Sequence, residues 1–168
     1  MYKVLFVCTG NTCRSPMAEA LFKHELSKHQ LPFDVNVSSA GLSAVKGEKA
    51  SQPVHRLLRS QGIKALENHF ASNIDKEKIE DADLILVMTA NHLRNLLYRY
   101  PQAENKTYLL KGYVEINGEK AGVEKDIEDP FGQDEEKYLQ VLEDIRDSIK
   151  KLIYKLKEVP QNENSPGQ

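Results

Sequence analysis

Cysteine is scarce in this 168-residue chain: there are two, Cys8 and Cys13, and both fall in one short loop. Two thiols that close together make no disulfide framework, and four zinc ligands cannot be built from them without histidine support. His24, His29, His55, His69 and His92 are scattered without ligand spacing, so no metal and no other cofactor is expected. Long hydrophobic runs are also missing. Val4 to Val7 and Leu84 to Met88 are strand-sized and far too short to span a bilayer. Charge of one sign is missing as well: the net charge of -2 gives no case for nucleic acid or an anionic membrane as partner. Lys46, Lys49, Arg56 and Arg59 form a loose basic group that reads as a solvated face. The start, Met1-Tyr2-Lys3, leads directly into Val4-Leu5-Phe6-Val7 with none of the regions of a secretory signal, and a cytoplasmic location is expected. In a reducing compartment, two thiols on a glycine-containing loop point to reactivity rather than to structure.

What is present is an alternation of strands and helices, in a length and composition that fit one globular domain. Val4 to Val7 reads as a strand buried on both faces, and a helix over Met17 to Lys28 follows a loop, with Ser15 as its N-cap and Pro16 in its first turn. A second strand is predicted over Asp34 to Ser39, a helix over Gln52 to Gln61, and a short helix over Asp75 to Glu80. Leu84 to Met88 reads as another buried strand, Asn91 to Tyr98 as a helix, and Lys106 to Leu110 as a further strand. Lys111 to Lys125, with three glycines, reads as irregular and exposed. From Asp134 to Glu158 the residues Tyr138, Leu142, Ile145, Ile149, Leu152 and Leu156 step by four and three, which marks one helix with a single apolar stripe. Such an alternation implies a single α/β domain over 1–158 with an open parallel sheet covered on both faces, and 159–168 as a flexible polar tail. Ligands bind beyond the carboxyl ends of strands in such folds, and the Cys8 loop lies at the end of the first one.

Each part of that loop suits phosphate. Cys8 and Arg14 flank five residues, and Ser15 follows, between a buried strand and a helix N-terminus. The helix end offers unpaired N–H groups and a positive dipole, and a loop curling into it adds more, with Gly10 permitting close approach. Arg14 can clamp two phosphate oxygens with its planar fork. The same fields favour the thiolate of Cys8, to which Ser15 can donate a hydrogen bond. The implied chemistry is in-line attack on phosphorus. The departing group then needs a proton, and Asp126, Glu128 and Asp129 share one loop before the last helix. Pro130 stiffens the residue before it, and Phe131 can wall the cleft. On these residues alone Asp126 and Asp129 are equal candidates.

The run Cys8-Thr9-Gly10-Asn11-Thr12-Cys13-Arg14-Ser15-Pro16-Met17-Ala18-Glu19 resembles the signature of the low-molecular-weight protein tyrosine phosphatases. Ser39-Ala40-Gly41 and Asp129-Pro130-Phe131-Gly132 match that family's other motifs in order, and the resemblance covers about residues 2 to 157. It implies a four-stranded parallel sheet with helices on both faces, and hydrolysis of phosphorylated protein side chains through a phosphocysteine. It makes Cys8 the nucleophile, Arg14 the clamp, Asp129 the general acid, Ser15 the support of the thiolate, and Asn11 a pin for the loop through Ser39 or a neighbour. Thr9, Gly10, Thr12, Cys13 and Phe131 would complete the substrate site. Cys13 would be a second thiol able to pair reversibly with Cys8, making the site redox-sensitive. His69 matches a structural histidine.

Thr12 departs from the bulky aliphatic residue of the tyrosine-specific members and resembles the protein arginine phosphatase subgroup. Its smaller side chain leaves room and a hydroxyl for a planar guanidinium. Ser43 stands where related enzymes often place an aromatic wall. Protein phosphoarginine is the favoured substrate on this resemblance, with phosphotyrosine the alternative. Arsenate reductase chemistry would need cysteines after Cys13, and there are none; a non-catalytic phosphate-binding module would need neither Cys8 nor Asp129. Phosphorylated proteins are the expected partners, and a monomer or weak homo-oligomer the expected state.

Overall fold

The first strand, β1 (Tyr2–Cys8), is central to everything that follows. It pairs in parallel with β2 (Val35–Gly41) from Tyr2 against Val35 to Cys8 against Gly41, and on its other side with β3 (Leu84–Val87). A short β4 (Thr107–Leu109) adds to β3, giving a four-stranded parallel sheet in the order β2-β1-β3-β4. The computed structural model describes residues 1–64, 66–115 and 125–158.

Because successive side chains point to opposite faces of a strand, each apolar run feeds two cores. Val4, Phe6, Leu84 and Leu86 pack with α1 (Arg14–Leu26), α2 (Gln52–Ser60) and α6 (Glu135–Lys157), and Leu110 of α5 (Leu110–Glu115) joins them. Leu5, Val7, Ile85 and Val87 pack with Ile79 of α3 (Lys76–Asp81) and Leu93 and Leu96 of α4 (Ala90–Arg99). The six residues of the α6 stripe are all buried. Asp134 caps that helix, its side chain accepting from the Lys137 backbone N–H at 2.9 Å.

Three local expectations need correction. Ser15 is not the cap of α1: the helix starts at Arg14, Cys13 occupies the cap position, and no side chain caps it. Its hydroxyl is turned to Cys8 instead, so the helix end keeps its N–H groups uncapped by side chains. Lys111 to Lys125 is not irregular at its start, since Leu110–Glu115 is helical with Leu110 and Gly112 buried against the core. Residues 116–124 of that segment, and the tail 159–168, lie outside the described residues. The second strand runs on to Gly41 because its edge still pairs with Cys8. A 3₁₀ turn at Pro101–Lys106, unforeseen in the sequence, leads into β4.

Candidate active site

β1 ends at Cys8, and the chain folds through residues 9–13 into α1, so the thiol sits beneath the uncapped helix end. Cys8 is 3% exposed. Ser15 Oγ lies 2.9 Å from its Sγ, and the Asn11 backbone N–H donates to it at 3.3 Å. Both contacts suit a thiolate, because an anionic sulfur accepts from each.

Asn11 holds this shape. Its φ of 55° is in the left-handed region, where a non-glycine residue needs compensation. That compensation is complete: Nδ2 donates to Ser15 Oγ and to Ser39 Oγ, each at 3.0 Å, and Oδ1 accepts from the Ser72 N–H at 3.0 Å. Its carbonyl is 2.8 Å from Nε2 of His69. The bonds also set a direction. Ser15 accepts from Asn11, so its own proton is left for Cys8, the competing Ala40 carbonyl being farther at 3.4 Å. Ser39, accepting from Asn11, donates to Glu19 Oε2 at 2.6 Å. Gly41 is required beneath the loop for space, not for φ: a Cβ there would lie 2.5 Å from the Thr9 carbonyl oxygen.

Arg14 is buried, and the acid loop holds its guanidinium. Nη1 donates to the Ile127 carbonyl at 3.1 Å, and Nη2 lies 3.2 Å from Asp129 Oδ2. Asp129 keeps half its side chain in solvent, 51% exposed, while its Oδ1 accepts from the Phe131 N–H at 3.1 Å. Asp126 is committed elsewhere, accepting from the Ala90 N–H at 2.6 Å in the first turn of α4. Glu128 pairs with Lys137. Of the two acids that the residues alone left open, Asp129 is the one paired with Arg14. The loop is fixed to the sheet, since the Ile127 N–H donates to the Met88 carbonyl at 2.8 Å, just past β3.

The other predicted residues lie around this centre. Phe131 is 74% exposed at the rim, and Gly132, with φ of 74°, makes the turn that follows it. Thr12 is half-buried; its hydroxyl has one described contact, a long 3.9 Å approach to Cys13 Sγ. Cys13 is buried, unpaired, and donates to Ser51 Oγ at 3.3 Å, with the Tyr138 hydroxyl 4.0 Å away. Burial, then the Cys13 sulfur, raise the pKa of that phenol. Thr9 is exposed, and its Oγ1 lies 2.8 Å from Nε2 of His92.

His92 is the residue that the sequence reading passed over. It is buried, and burial first, then the charge of Arg14, lower its pKa to about 4 against a smaller opposing pull from Asp129. One signal was available: it opens a helix directly after a central strand, on the side of the sheet where ligands bind. Beside Arg14 and Asp129 a cavity of about 660 Å³ extends along α6, past Lys137, Gln140 and Asp144. Among the described residues no group of three or more His, Cys, Asp or Glu side chains is placed to hold a metal ion, and no helix is long and apolar enough to cross a membrane.

A buried thiol under a helix end, a clamped arginine and a carboxylate at the rim define the class: a cysteine-dependent phosphatase. The model of the low molecular weight phosphotyrosine protein phosphatases matches residues 3–162, and the chain belongs to that family. It is 42% identical to a protein-arginine-phosphatase of Geobacillus stearothermophilus over 96% of this chain and 98% of that protein. It is 34% identical to the low molecular weight protein-tyrosine-phosphatase PtpB of Staphylococcus epidermidis over 91% of this chain and 98% of that one. A solved structure of the YwlE arginine phosphatase, a cysteine-to-serine mutant with a phosphorylated active site serine, superposes with a TM-score of 0.85. It is 35% identical and covers 96% of this chain and 99% of its own.

Proposed function

We propose that this phosphatase acts on phosphoarginine in proteins, with Cys8 as nucleophile, Arg14 as phosphate clamp and Asp129 as acid and base. Cys8 Sγ attacks phosphorus in line, the S–P bond forming as the P–N bond to the guanidinium breaks. Asp129, in its carboxylic form, gives its proton to the departing nitrogen. The resulting carboxylate then takes a proton from water as that water attacks phosphorus, the S–P bond breaks, and inorganic phosphate leaves. The phosphoserine held by the mutant relative supports a phosphorylated side chain at the Cys8 position.

The observation that carries the substrate choice is Thr12. Its hydroxyl makes no hydrogen bond to a described protein oxygen or nitrogen, and its side chain is partly open at the loop. It can therefore accept from a guanidinium N–H, a donor that a phosphotyrosine ring lacks. Once its proton has gone to the departing nitrogen, the half-exposed Asp129 carboxylate can pair with the guanidinium so released. The phosphotyrosine reading draws on Phe131, whose exposed ring could wall an aryl group. Two unpaired thiols fit a reducing, cytoplasmic setting.

The test is kcat/KM on one peptide sequence carrying phosphoarginine or phosphotyrosine, without added metal. A ratio at least tenfold in favour of phosphoarginine is expected; a ratio in favour of phosphotyrosine overturns the substrate and leaves the phosphatase mechanism standing.

A further inference from the structure

The proposed reaction gives His92 no task, yet the side chain is buried beside Thr9 and within the field of Arg14 and Asp129. On one side Nε2 meets the hydroxyl of Thr9, the residue after the nucleophile, at 2.8 Å. On the other, His92 belongs to the first turn of α4, where its own N–H donates to the Thr89 hydroxyl at 3.1 Å and the Ala90 N–H donates to Asp126 at 2.6 Å. Asp126 opens the segment that carries Ile127 and Asp129, both of which hold Arg14. The phosphate loop and the acid loop are therefore joined through one helical turn, with His92 as the link.

Its protonation follows from its surroundings. Nδ1 is buried and has no hydrogen-bond partner among the described residues. A neutral imidazole carries one N–H and one lone pair. An N–H on Nδ1 would strand a buried donor, whereas an N–H on Nε2 leaves only a lone pair there and reaches Thr9. A second cation beside Arg14 is disfavoured, and the ring stays neutral down to about pH 4. Nε2–H thus donates, Thr9 Oγ1 accepts, and the exposed Thr9 side chain is fixed in place.

We propose that His92 is a positioning residue: its Nε2–H anchors Thr9, and with it the backbone beside Cys8, against the turn that supports the acid loop. The inference rests on the Cys8 loop being the catalytic one and is independent of the choice between phosphoarginine and phosphotyrosine.

The test uses para-nitrophenyl phosphate as substrate and inorganic phosphate as competitive inhibitor. His92→Leu and Thr9→Val should each lower kcat about tenfold, with phosphate inhibition changed less than threefold. His92→Gln, whose amide nitrogen can replace Nε2–H, and Thr9→Ser, which keeps the oxygen, should recover activity to within about threefold of the parent. The double variant His92→Leu with Thr9→Val should be no slower than the worse single one, because both remove the same bond. A Thr9→Val enzyme with unchanged kcat, a His92→Gln enzyme as slow as His92→Leu, or losses that multiply in the double variant would each overturn the link. If His92→Leu fails to fold, Thr9→Val against Thr9→Ser decides alone from the exposed end. Persistent turnover by Cys8→Ser would instead remove the catalytic loop assignment, whatever the Thr9 variants do.

Discussion

Cys8 and Thr12 sit four positions apart in one loop, and the roles proposed for them are separable. Cys8→Ser should abolish turnover while inorganic phosphate or vanadate still binds, because the backbone N–H groups and Arg14 remain; isothermal titration beside a steady-state assay checks both halves. Thr12→Ile should move the phosphoarginine to phosphotyrosine ratio of kcat/KM towards tyrosine by about tenfold or more, and an unchanged ratio would sink the argument from its hydroxyl. At this scale the sequence was legible where residue type dictates chemistry. A thiol, an arginine and a glycine between a strand and a helix leave few alternatives. It was not legible where the task depends on a distant partner: His92 meets Thr9 across 83 positions, and no local pattern announces that.

The elements explain why Asp126 and Asp129 part company. Both lie in the segment before α6 that Ile127 pins to the end of β3, but Asp126 turns one carboxylate oxygen to the first turn of α4 while Asp129 meets Arg14. Asp129→Asn should therefore slow substrates with poor leaving groups by 10² or more, on the order of general acid catalysis, and good ones far less. Asp126→Asn should instead lower the melting temperature while keeping the leaving-group dependence of the parent. A series of aryl phosphates of graded leaving-group acidity separates the two outcomes. Strands and long helices were legible from apolar runs and from the α6 stripe, since burial on two faces or one leaves a period in the sequence. The start of α1 was not. Propensity favours a serine cap, but the site takes the Ser15 hydroxyl for Cys8, and the helix begins uncapped by any side chain. Leu110–Glu115 was hidden for another reason: its glycine is packed against the core, where contact outweighs helix propensity.

Across the whole molecule, the order β2-β1-β3-β4 places the ends of β1 and β3 side by side; the Cys8 loop leaves the first, and the loop of the proposed acid is bonded to the second through Ile127. The neutral His92 in that seam ties stability to acidity. An unfolded chain takes up a proton on this histidine near pH 6.5, whereas the folded one refuses it until about pH 4. Between those values the unfolded state binds more protons, so stability falls as the pH is lowered through the window and levels off below it. The loss should amount to ~3 kcal/mol at most, and His92→Gln should flatten it in urea denaturation followed from pH 7 to 4. The adjacency of the two loops was legible only as the rule that such sheets bind ligands at their carboxyl edge; the pairing of strands that meets it required the fold. One consequence concerns reach. Cys8 is 3% exposed, while Phe131, whose N–H bonds to Asp129, is 74% exposed. A phosphate carried one carbon from the backbone, as on serine or threonine, would have to draw its own main chain down into the loop. An arginine or a tyrosine would lower its phosphate on a long side chain and leave the backbone outside, so a thiol this buried is expected to favour long side chains over short ones, whichever of the two is the substrate.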